Sequence, residues 1–248
     1  SSEIGTNVGA IPFRGGSSIR WRNIEMSNEE QKFVKIQSGS AELEGMLGVP
    51  DEAVGIVLFA HGSGSSRHSP RNNFVAEQLR SAGIGTLLFD LLTTEEDEID
   101  RRTRELRFDI DLLTRRLTGA TEWLRKQEFA KDLSLGYFGA STGAAAALKA
   151  AAQKPLAVKA VVSRGGRPDL AGEALPNVNV PVLLIVGGLD TQVIEMNRDA
   201  CEKLRSEHKE IRIVEGATHL FEEPGKLEEV ASLAREWFQR WLACTFQV

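Results

Sequence analysis

Five apolar runs set most of what this chain can fold into: "VGIVLFAHG" at 54–62, "IGTLLFD" at 84–90, "LSLGYFG" at 133–139, "AVKAVVSRGG" at 157–166 and "VPVLLIVGGLD" at 180–190. They are near-continuous rather than alternating, which suits strands buried on both faces. The segments between them carry helical spacing instead. Phe74, Val75, Leu79 and Ala82 line one face before Gly83, and Leu106, Ile110, Leu113, Leu117 and Leu124 do so within 105–127. "STGAAAALKAAAQK" predicts a helix stopped before Pro155, and "TQVIEMNRDACEKL" another. "EIRIVEG" reads as a last strand, followed by a closing helix with Leu227, Val230, Ala234, Phe238 and Trp241 inward. Near the start, "KFVKIQSG" and "AELEGMLGVP" predict two strands pairing at a sheet edge. Strands alternating with helices predict an α/β architecture, a parallel sheet covered on both faces. Ligands of such sheets bind beyond the carboxyl ends of the strands, which gives each candidate residue a test.

No repeat or long linker follows residue 30, so residues 26–248 read as one domain. Residues 1–25, rich in Gly and Ser, read as an N-terminal arm or an expression leader, with Met26 as a plausible native start. The net charge of −5, without a basic stripe, argues against a nucleic-acid partner. Cys201 and Cys244 lack CxxC spacing, which suggests neither a zinc site nor a disulfide framework and makes a reducing, cytoplasmic setting the expectation. No apolar run approaches the ~18 residues of a membrane span, so no membrane association is expected.

Gly139-Ala140-Ser141-Thr142-Gly143 fits G-x-S-x-G between a predicted strand and a predicted helix. A nucleophile on so sharp a turn needs strained backbone angles, and glycines two positions away remove Cβ atoms that would meet neighbouring backbone. The helix would also point its positive end at the site. The plainer reading of Ser141 is a helix N-cap.

A serine hydroxyl needs a base within hydrogen-bond reach. Of the four histidines, His208 lies in a charged stretch and His68 in a polar loop. His61 follows a buried strand, but structural hydrogen bonding to its loop is the stronger reading. His219, in "VEGATHLFEEPG", follows the last strand and is the expected base. Asp190 ends "PVLLIVGGLD" and is favoured as the orienting acid over Asp169 in "GRPDL"; its plainer roles are an N-cap or a turn carboxylate. Ser141, Asp190 and His219 then follow the chain order nucleophile, acid, base. For the oxyanion, one N–H is expected from Thr142 and the other from Ser63 in the Gly-rich "HGSGSS" loop. That loop lacks the spacing of a phosphate cradle. Arg164 could meet an anionic substrate group, although an ion pair is the blander reading. The charge run 93–105 reads as a solvated loop leading into a helix, bordering the pocket at most.

Together, "LFAHGSG", "GASTG", "LLIVGGLD" and "GATHLF" resemble the α/β-hydrolase superfamily over roughly residues 32–243, and within it the dienelactone-hydrolase-like branch. The chain is also similar to hydrolase domains fused to phosphoribosyltransferases. The resemblance implies an eight-stranded, mostly parallel sheet with helices on both faces, little or no lid, no cofactor, and attack on an ester or related acyl bond of a small molecule. Dienelactone hydrolases proper carry a cysteine nucleophile. Serine at 141 therefore counts against the dienelactone substrate and favours a general serine esterase, with a thioesterase or dienelactone-type lactone hydrolase as the alternative. A non-hydrolytic small-ligand receptor on the same fold is the competing class.

Overall fold

The computed structural model describes residues 31–154 and 157–243. The expectations for residues 1–25, Pro155 and Cys244 lie outside them. Eight strands form one open sheet: β1 (Lys32–Ser38), β2 (Ala41–Gly48), β3 (Gly55–Ala60), β4 (Gly85–Phe89), β5 (Ser134–Ala140), β6 (Ala160–Arg164), β7 (Val182–Gly187) and β8 (Lys209–Val214). Their order is β1-β2-β4-β3-β5-β6-β7-β8. β2 runs antiparallel to both neighbours, and all other pairings are parallel. The β1–β2 hairpin at the edge is the predicted pair; it closes from Ser38 to Ala41 through Gly39, whose φ of 63° suits glycine.

β3, β4, β6 and β7 are buried at every position, the structural counterpart of unbroken apolar runs. Their side chains alternate between two cores. Ile56 and Leu58 face α3 (Ile110–Arg125) and α4 (Thr142–Gln153). Val57 and Phe59 face α1 (Pro70–Arg80) and α6 (Lys226–Leu242). Phe59 and Phe138 stack with centroids 4.8 Å apart in the second core, where Phe→Ala would cost about 3–5 kcal/mol. Ala144 through Ala147 are fully buried, so α4 lies close against the sheet with its first turn beneath the strand ends. A further helix, residues Thr191–Lys203, leads away from β7.

Two expectations need correction. The charge run is itself a helix, Thr94–Thr103, not a solvated loop. Thr93 Oγ1 accepts from Glu96 N and the Glu96 carboxylate accepts from Thr93 N, a capping box that satisfies two exposed donors. It ends at Arg104, in the left-handed region at φ 60°. The helix expected over 105–127 accordingly begins only at Ile110, capped by Asp109, while Leu106–Phe108 form a 3-10 turn. In chain order Thr94–Thr103 is α2 and Thr191–Lys203 is α5. Between β6 and β7 only a kinked 3-10 segment, Pro168–Asn177, is inserted; it packs on α4 and α5.

Candidate active site

Ser141 sits between the last residue of β5 and the first of α4, at φ 51° and ψ −120°. A non-glycine residue in that region is strained and must be held there by its surroundings. A Cβ at Gly139 would lie 2.4 Å from Ala144 Cα, and one at Gly143 would lie 2.1 Å from the Ala60 carbonyl oxygen. Glycine is therefore required at both positions by crowding, as the motif predicts. Ser141 N donates to Arg164 O, and Ser141 O accepts from Arg167 N at 3.0 Å. The hydroxyl makes no capping bond to α4, so the plain cap reading of Ser141 fails.

Asp190 heads α5 without capping it; its Oδ2 lies 2.6 Å from Nδ1 of His219. A carboxylate accepts only, so Nδ1 carries the proton of that bond. The acid and base loops are brought together at Gly187, where a Cβ would stand 2.5 Å from the Ala217 and Thr218 carbonyl oxygens. Leu189 N donates to Ala217 O at 2.9 Å. Phe221, fully buried at φ 56°, anchors the far side of the base loop in the second core. Thr218 N donates to the Glu223 carboxylate, and the Thr218 bonds hold that carboxyl below its usual range. The His219 side chain stays 39% exposed and that of Asp190 17% exposed.

Ser141 and His219 share a neighbour, the end of β6. Ser141 N bonds Arg164 O, and a Cβ on the next residue, Gly165, would lie 3.5 Å from Cε1 and Nδ1 of His219. Among the described residues no hydrogen bond joins Ser141 Oγ to the ring, so the candidate nucleophile and candidate base are neighbours rather than bonded partners. Catalytic hydrogen bonds commonly tighten only once substrate is bound.

The loop after β3 closes over the other side. A Cβ at Gly62 would lie 3.1 Å from Ser141 Cβ. Ser63 Oγ is 3.0 Å from Thr142 Oγ1. Among the described residues neither Ser63 N nor Thr142 N donates to a protein acceptor, which leaves two main-chain donors beside Ser141. His61 is buried and staples this loop. Its Nδ1 donates to Gly62 O at 2.9 Å while Nε2 accepts from Leu91 N at 3.0 Å. That pattern needs the neutral ring, and burial lowers its pKa accordingly.

The remaining candidates separate. Asp169 accepts from Nε and Nη2 of Arg167, at 2.8 and 2.7 Å. His208 is exposed and lies against Trp241. Arg164 is only 7% exposed and donates to Asn72 Oδ1 of α1 at 3.3 Å. Burial, helped by Arg71, pushes its guanidinium down to about 10, still charged at neutral pH. It is neither a surface ion pair nor a lining residue of the neighbouring cavity.

Two residues that sequence reasoning missed complete the site. Asp100 of α2, 2% exposed, accepts from Arg107 N at 3.0 Å and Arg107 Nε at 2.6 Å. Ser63 Oγ in turn lies 3.4 Å from Arg107 O. The signal that could have found them is T-x-x-E at Thr93–Glu96, which marks a helix start in what looked like a loop. Among the described residues no group of His, Cys, Asp and Glu is placed to hold a metal ion, and no helix is long and apolar enough to cross a membrane.

Known proteins share this fold, and some share much of the sequence. The model of the dienelactone hydrolase family matches residues 43–246. A dienelactone hydrolase from Anabaena variabilis, known from its crystal structure, is 59% identical, with a TM-score of 0.84 over 86% of this chain and 98% of that one. An α/β serine hydrolase without lid from Xanthomonas campestris shares the fold at 24% identity, with a TM-score of 0.68 over 88% of this chain and 97% of that one. A Mycobacterium tuberculosis protein named "Putative phosphoribosyl transferase" is 56% identical over 205 residues, 83% of this chain. The chain spans 45% of the length of that relative.

Proposed function

The chain belongs to the dienelactone hydrolase family, and from that premise we propose that it is a serine hydrolase cleaving a carboxylic ester of a small molecule through an acyl-enzyme. The observation that carries the reading is the Asp190–His219 bond of 2.6 Å beside a serine on a strained strand-to-helix turn. Occupying Nδ1 leaves Nε2 as the ring nitrogen that can exchange a proton with substrate and nucleophile.

In this mechanism His219 Nε2 takes the Ser141 proton as Oγ attacks the carbonyl carbon. The oxyanion that forms is met by the N–H groups of Ser63 and Thr142, donors fixed before the reaction and worth most where water is excluded. His219 then protonates the leaving alcohol, the C–O bond breaks, and the acyl group stays on Ser141. Water, deprotonated by the same imidazole, repeats the attack and releases the acid. Asp190 holds the tautomer and favours the imidazolium at each proton transfer. His61, neutral and buried, has no part in proton transfer; it keeps the donor loop in place.

The test is a fluorophosphonate label mapped by mass spectrometry, beside turnover of 4-nitrophenyl acetate by the wild type, Ser141→Ala and His219→Ala. The reading expects the label on Ser141 and a loss of several orders of magnitude in each variant. A label elsewhere, or acylation without turnover, would instead make the protein a receptor on a hydrolase fold.

A further inference from the structure

Beside the proposed oxyanion donors lies a cavity of about 560 Å³ between the loop after β3, α2 and the β1–β2 turn. Gly62, Ser63 and Thr142 line it; Ser141, Asp190 and His219 do not. It therefore meets the site across the oxyanion position, away from the imidazole. The leaving oxygen of an ester must stay near His219 to receive its proton, so the group reaching into this cavity is the acyl part. We infer that this cavity selects esters whose acyl group is short, oxygen-bearing and uncharged, and that it rejects long alkyl and anionic acyl groups. The inference rests on the esterase reading of Ser141.

The lining carries the argument. Among the described residues, seven of its side chains are Ser or Thr hydroxyls, and only Ala41, Leu92 and Leu113 are apolar. All three of these are already buried, so an alkyl chain would find little apolar wall to cover. It would instead displace water from hydroxyl and ionic groups without replacing their hydrogen bonds. The charges then decide the sign. Six carboxylates and three guanidinium groups line the cavity. Each guanidinium already has its acid: Arg67 pairs with Glu44 and Asp90, Arg101 with Asp97, and Arg107 with Asp100. Among the described residues no guanidinium of the lining is left over to meet a substrate carboxylate or phosphate, while Glu95 and Glu42 add negative charge. Glu42 is matched only by Lys35, outside the lining. The Ser and Thr hydroxyls can donate to an ether oxygen or exchange bonds with a hydroxyl, while the carboxylates can only accept from a hydroxyl.

The experiment keeps one leaving group and varies the acyl part on wild-type protein. The probes are the 4-nitrophenyl esters of acetate, butyrate, octanoate and methoxyacetate, of glutarate as its free acid, and of glutarate as its methyl ester. Each kcat/KM is divided by the ester's alkaline hydrolysis rate. Expected are octanoate at or below butyrate, methoxyacetate above butyrate, and the glutarate acid at least about tenfold below its methyl ester, a gap that narrows with salt. Thr94→Leu, in the lining, should raise the ratio of octanoate to acetate turnover. A rise of about fourfold per methylene from butyrate to octanoate, the signature of an apolar slot, overturns the assignment, and so does preference for the glutarate acid. If those results appear while Ser141 is labelled and Ser141→Ala is dead, only the cavity assignment falls. If Ser141→Ala keeps wild-type turnover, the esterase reading falls and takes this inference with it.

Discussion

Gly143→Ala sets two effects against each other. Gly143 is the second residue of α4, and alanine in a helix is favoured over glycine by about 1 kcal/mol. The new methyl, however, would stand 2.1 Å from Ala60 O and 2.6 Å from His61 O. Carbon–oxygen contacts relax at about 3.3 Å or more, so β3 and α4 must separate by about 1 Å. Both obstacles are backbone and cannot rotate away, which places the overpacking cost at the upper part of its usual range of about 1–3 kcal/mol. The clash outweighs the propensity, and a net loss of about 1–2 kcal/mol is expected. The displaced atoms lead straight into Gly62 and Ser63, so the donor loop moves with them; a shift of about 1 Å costs about 100-fold in rate. The assay is kcat on 4-nitrophenyl acetate and the urea-unfolding midpoint from one preparation. Gly83→Ala is the control, since nothing lies within 4 Å of its new Cβ and only its φ of 76° is unfavourable. It should lose about 1 kcal/mol and keep its kcat. A Gly143→Ala protein with wild-type rate and stability would refute the reasoning.

Other expectations are shorter. Asp190→Asn should lower kcat by about 10⁴-fold through the wrong tautomer while Tm barely moves; a drop under tenfold would place the orienting acid elsewhere. Asp100→Ala strands Arg107 and should destabilise by about 2–4 kcal/mol in urea, discounted because Arg107 is partly exposed. It should also lower kcat by loosening Ser63, and unchanged kcat in the folded variant would cut that link. His61 gives a pH signature. Its folded pKa is depressed by burial below the ordinary 6.5, so the unfolded chain binds the extra proton. Stability is complete above about 6.5 and declines as pH falls toward the folded value, by up to about 1.4 kcal/mol per unit. His61→Gln should flatten that slope in urea titrations at pH 7.5 and 5.5; equal slopes would show that His61 is not its source.

The central strands were legible because burial on both faces writes an unbroken apolar run, and the loops of Ser141 and Asp190 were legible because each follows such a run; the His219 loop follows the partly exposed edge strand β8. Ser141 was identifiable from glycines whose necessity is steric and local. Asp190 and Asp169 were distinguishable only weakly from sequence, since their separation depends on a partner: Arg167 occupies Asp169, whereas Asp190 meets His219 across two loops. α2 was misread because charges on a helix lying over a cavity look like charges in a loop; its inward anchor is a single buried aspartate rather than an apolar stripe. Arg164 was misplaced for a related reason. Position after a strand indicates the sheet's rim, but the parity of its side chain sends it toward Asn72 of α1.

The base loop follows β8, which forms one outer edge of the sheet. Whatever the order in which the strands assemble during folding, a chain with β3, β5 and β6 joined but that edge undocked already holds Ser141 on its turn and lacks the His219 imidazole that the proposed mechanism requires. On that mechanism partly folded protein is inert toward ester bonds. Regain of activity during refolding should report docking of the outermost strand, not formation of the centre.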